Sequence, residues 1–181
     1  KLEKLMFNIN QAQKNSDKKL NLYLDDLVHN NYYFDSMTEN VPFLLFNQTV
    51  NTLNKNEKYK NLFINDKNEN IVQYIKELRD LKWSNSPHLL GKAYVIEIYL
   101  RLVGQDIKPE IKNELINFYR YFRNNKSAKN ILYYFRPYTV IYYYGSWLDD
   151  SFEENINTFN TISSYCLEHP LSYLLSLEQI M

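Results

Sequence analysis

Ser86-Pro87-His88-Leu89-Leu90-Gly91-Lys92-Ala93-Tyr94-Val95-Ile96-Glu97-Ile98-Tyr99-Leu100-Arg101-Leu102-Val103-Gly104 is the stretch on which the fold class turns. Ser86 can accept a hydrogen bond from an N–H of a first helical turn, and Pro87 suits the first helical position because its missing N–H would be unsatisfied there anyway. Gly104 supplies a residue able to turn left-handed past a helix end. Between them, apolar side chains point in nearly every direction around a helical wheel, the pattern of a helix covered by other helices. Glu97 and Arg101 stand one turn apart in the favourable acid-before-base order, which predicts a structural ion pair and also allows a buried catalytic carboxylate.

Outward from this segment the chain keeps the same character. It has 181 residues, with 17 tyrosines and 10 phenylalanines against 3 glycines and 5 prolines. Few helix breakers and long segments of 3.6-residue periodicity predict an all-α protein. Leu2, Leu5, Met6 and Ile9 share one helical face. Asp17 can cap a second helix carrying Leu20, Leu24, Leu27 and Val28. Asn40 can cap a third, with Pro42 in its first turn, leading Phe43, Leu44, Phe46, Val50 and Leu53 inward. A polar stretch over 54–61 separates it from a helix started by Asp66 or Asn68. After the central helix, Pro109 opens a segment with Ile111, Leu115, Phe118, Tyr119 and Phe122 on one side. A further segment begins at Ser127 and is expected to stop or kink at Pro137. Tyr138 to Tyr144 is aromatic and β-branched enough for a strand to compete, and Gly145-Ser146 is expected to break it. Ser151 and Glu154 have the form of a capping box for a helix reaching Cys166, and a short helix follows from Leu171. The expectation is one domain over 1–181. It is an irregular helical bundle or short αα-superhelix of about eight to nine helices around the buried segment 86–104, joined by short links.

Catalytic signatures are missing from this pattern. Isolated glycines cannot build phosphate loops, dinucleotide turns or nucleophile elbows. His29, His88 and His169 fall on different elements, and Cys166 with His169 makes only a lone helical pair, so no metal and no cofactor is expected. A single cysteine excludes an internal disulfide and fits a reducing compartment. No apolar run reaches the length of a membrane span, so the chain is expected to be cytoplasmic, with no membrane partner. Heavy use of Asn, Lys, Ile and Tyr, the residues of AT-rich codons, suggests an AT-rich bacterial source or a horizontally acquired gene.

Charge is balanced in total, with 21 basic and 21 acidic residues, but segregated along the chain. Residues 108–138 carry seven basic and two acidic side chains, whereas residues 146–181 carry six acidic and no Lys or Arg. Two surfaces follow. An acidic face of Asp149, Asp150, Glu153 and Glu154, with Trp147 and Tyr144 as aromatic anchors, suits a positively charged protein partner. Alternatively, Arg120, Arg123, Lys126, Lys129 and Arg136, interleaved with aromatic residues, have the composition of a nucleic-acid-binding surface.

In size, in its Tyr- and Asn-rich helical composition and in its lack of catalytic motifs, the chain resembles the immunity proteins of bacterial toxin–immunity pairs, the contact-dependent growth inhibition systems in particular. The resemblance rests on no shared motif. It implies a non-catalytic inhibitor that binds a cognate toxin, often a nuclease with a basic cleft, and occludes its active site.

Overall fold

In the computed structural model, residues 2–29, 41–80, 87–125 and 136–149 are described. They form seven α-helices, with no strand among the described residues. These are α1 (Leu2–Lys14), α2 (Leu20–His29), α3 (Phe43–Lys55), α4 (Glu57–Arg79), α5 (Pro87–Val103), α6 (Pro109–Asn124) and α7 (Arg136–Leu148). The segments expected to be helical beyond Ser127, Ser151 and Leu171 lie outside the described residues. The all-α class stands. The chain groups into two compact units, one of Lys1–Tyr74 with Lys82–Ile107 and one of Ile75–Leu81 with Lys108–Met181.

In the first unit, α1 packs against α2 and α3, and α3 packs against α5. α1 ends where Ser16 takes a left-handed conformation (φ 51°) and the N–H of Asp17 reaches back to the carbonyl of Ala12 at 2.9 Å. Asp17 then opens the turn that leads into α2, its side chain accepting the Lys19 N–H at 2.9 Å. The core faces of α1 to α3 hold Met6, Ile9, Leu24, Val28, Phe46 and Leu53, none exposed. Leu44 departs from expectation. It is 68% exposed, because on α3 it lies opposite the stripe of Phe46, Val50 and Leu53.

α5 is buried almost all round, and only Lys92, Arg101 and Val103 among its described side chains are half-exposed. It stops at Gly104, whose φ of +58° and N–H···O=C bond to Leu100 (3.0 Å) form a left-handed helix end. Its tyrosines tie neighbouring segments to it. The Tyr94 hydroxyl accepts the backbone N–H of Val41 at 2.8 Å, and the Tyr99 hydroxyl donates to Asn68 at 2.9 Å.

Two readings of local sequence are corrected. The polar stretch over 54–61 breaks only at Asn56, and α4 runs without interruption from Glu57 for 23 residues. Tyr59, Phe63, Lys67, Ile71, Ile75 and Leu78 form its inward ladder, with a lysine at a position that reads as apolar. Lys67 is only 3% exposed and its ammonium lies 2.9 Å from Asp66. Pro137 sits in the first turn of α7, where no intrahelical N–H is needed, and the segment from Ser127 that it is expected to end or kink lies outside the described residues. The aromatic run Tyr138–Tyr144 and Gly145-Ser146 are all helical.

Candidate functional site

In the second unit, the two charge-segregated segments meet through α6 and α7. α6 buries Ile111, Leu115, Phe118, Tyr119 and Phe122 on one face, as its periodicity dictates. α7 approaches that face closely because Gly145 has no side chain. A Cβ there would stand 2.5 Å from the carbonyl oxygen of Leu115 and 2.7 Å from Cβ of Tyr119. The close approach lets the rings of Tyr119 and Tyr142 meet at 5.0 Å between centroids. Tyr138, 2% exposed, sits in the same α7 core, and burial pushes its hydroxyl pKa well above the usual phenol value.

The end of α7 carries the residues singled out in the sequence. Trp147 is 70% exposed, and its indole meets the ring of Tyr143 edge-on at 5.7 Å, one turn earlier. Tyr144 is half-buried. Asp149 is 5% exposed, and its carboxylate accepts from Arg120 Nε at 3.2 Å and Nη2 at 3.0 Å. Arg120 itself remains 55% exposed. Asp149 and Arg120, assigned from sequence to two different surfaces, are therefore partners of each other. Arg123 places its guanidinium 5.5 Å from the centroid of the Tyr119 ring. Asp150, Glu153, Glu154, Lys126 and Lys129 lie outside the described residues, as does the side chain of Arg136. Tyr143 and Gly145 were not marked as site residues. The signal for both was present: an aromatic residue one turn from Trp147, and a single glycine inside an aromatic run.

The other concentration of unusual chemistry lies on α5. Glu97 is fully buried, with Arg101 Nη2 3.2 Å from its Oε1. Arg101 also donates to the side-chain oxygen of Asn47, and its guanidinium stacks 5.2 Å from the Phe46 ring centroid. One arginine thus ties a carboxylate of α5 to a polar and an aromatic group of α3, the geometry of a packed structural link.

Among the described residues no three His, Cys, Asp or Glu side chains gather in a way that could hold a metal ion, and no helix is long and apolar enough to cross a membrane. Cys166 and His169 lie outside the described residues. Neither a protein-family model, nor a curated protein, nor a solved structure matches the chain.

Proposed function

We propose that this chain is an immunity protein of the contact-dependent growth inhibition type. In this reading it is a non-catalytic binding protein that neutralises a cognate bacterial toxin, a nuclease in the first instance, by covering its active site in the cytoplasm. The observation that carries the binding reading is Trp147, a large indole 70% exposed on an ordered helix and braced by Tyr143. Trp, Tyr and Arg dominate the energetics of protein interfaces, and a rigid aromatic side chain loses little entropy when it is captured. Because Asp149 faces Arg120, the anchor on this surface is aromatic in the first place. Charge attraction to a basic cleft falls to Asp150, Glu153 and Glu154.

The nucleic-acid reading of the basic segment loses support, since Arg120 is engaged by Asp149 and Arg123 lies over Tyr119. Co-expression with the toxin domain encoded by the adjacent gene tests the proposal. The chain should protect cells and form a stable complex with that domain. Trp147→Ala should weaken the complex at least about tenfold. Absence of both protection and complex would overturn the proposal. Retardation of RNA or DNA at moderate salt would favour the nucleic-acid reading instead.

A further inference from the structure

We infer that the Arg120–Asp149 pair is a positioning device that holds the last turn of α7 on α6 and so presents Trp147 as a fixed, pre-aligned anchor. The inference rests on the reading of Trp147 as a partner-binding residue, and four features of the second unit lead to it.

A carboxylate just past the C-terminal end of a helix is locally unfavourable, because the exposed carbonyls there already carry partial negative charge. Asp149 follows Leu148, the last residue of α7, and is nonetheless 5% exposed. Such a placement holds only where a cation compensates, and Arg120 does so through two charge-assisted hydrogen bonds of 3.2 and 3.0 Å. The pair spans from α6 to the end of α7, so it fixes the helix terminus and not merely a side chain.

Trp147 lies two residues before Asp149, inside that final turn. Its indole is 70% exposed and meets Tyr143 edge-on, so its direction depends on the backbone turn that carries it. The turn is further tightened by Ser146, whose hydroxyl donates to the Tyr143 carbonyl at 2.7 Å. Two residues before the indole, and so on the opposite side of the helix, Gly145 is the place where α7 touches the α6 backbone. The fold therefore grips the end of α7 at positions 145 and 149, on either side of the exposed indole. An indole gripped in this way loses less freedom on binding than one on a frayed helix end, which raises affinity mainly by slowing dissociation.

The test needs no partner in its first arm. In a Trp83→Phe background, Trp147 is the chain's sole tryptophan, and its fluorescence anisotropy and acrylamide quenching report its local motion. Asp149→Asn should leave the far-ultraviolet helical signal unchanged, lower the anisotropy and raise the quenching constant by half or more. The charge-exchanged double variant, Arg120→Asp with Asp149→Arg, should restore both values, since the arginine then also suits the helix end. Should Asp149→Asn fail to fold, the double variant decides: restored anisotropy supports the positioning role, and failure to restore it overturns it. Unchanged Trp147 motion in a folded Asp149→Asn protein likewise overturns it. The second arm measures binding to the toxin domain encoded by the adjacent gene. Faster dissociation in Asp149→Asn, recovered in the double variant, supports the inference, whereas an unaltered dissociation rate counts against it. If Trp147 is immobilised by the pair but no toxin domain binds, the immunity reading fails and the positioning device stands.

Discussion

Glu97 has no solvent exposure, and the guanidinium of Arg101 is its ionic partner, so the two side chains should be unequal to their sum. Removing one member of such a pair leaves the other charge buried, and replacing both with apolar groups removes the problem altogether. Arg101→Ala should therefore lower stability by about 3 kcal/mol in urea titration. The double variant Glu97→Leu/Arg101→Leu should cost clearly less than the two single changes added together, and additive values would argue against coupling. Trp147 behaves in the opposite manner. With 70% of its surface in water, it contributes little to folding, and Trp147→Ala should change stability by no more than about 0.5 kcal/mol. A melting curve close to the parent's, combined with weaker toxin binding, is the expected signature of an interface residue.

At the level of elements, Gly104 and Gly145 make opposite demands. Gly104 has open space where a Cβ would go, but its φ of +58° suits few other residues. Gly104→Ala should cost about 1 kcal/mol, and Gly104→Asn less, as read from denaturant midpoints. Gly145 has ordinary helical geometry and no room. Alanine is the better helix former by about 1 kcal/mol, yet Gly145→Ala should be destabilising by about 1–3 kcal/mol because α7 must move off α6. The sign of that change is the test. The elements also differ in how plainly they could be read. α5 was legible almost to the residue, because proline and glycine punctuate it and apolar side chains fill it. α4 was read as beginning too late because Lys67 occupies a core-facing position and hides the ladder that starts at Tyr59. α7 was ambiguous because tyrosine, valine and isoleucine favour strands, and only packing against α6 decides for the helix. Pro137 marks a helix boundary on either reading, because proline stops a preceding helix and suits the first turn of the next. At the candidate site, Trp147 could be picked out by residue type. The Arg120–Asp149 pair could not, since 29 residues separate its members and no periodicity links them.

Across the whole molecule, the abundance of tyrosine has a consequence for pH. Tyr138 and Tyr99 are 2% and 1% exposed, and burial raises both phenol pKa values. A phenol that holds its proton more tightly when folded than when unfolded contributes stability that is fully present below about pH 10. That contribution is lost as pH climbs from there toward the raised folded value. Stability should accordingly fall above about pH 10, and absorbance near 295 nm should show exposed tyrosines ionising first and the buried ones only as the protein unfolds. A titration in which all 17 tyrosines ionise together below the unfolding transition would contradict this burial pattern. The contact at Gly145 also sets how the chain can vary. Two of the three atoms nearest the missing Cβ belong to the backbone of Leu115, and the third is the Cβ of Tyr119, which every residue but glycine possesses. No exchange of side chain on α6 short of glycine can therefore make room for a larger residue at 145. In a saturation library sorted for folding, position 145 should admit almost nothing, whatever partner is offered. Position 147, two residues further on, should be nearly free in that sort and become constrained only when the library is sorted for binding.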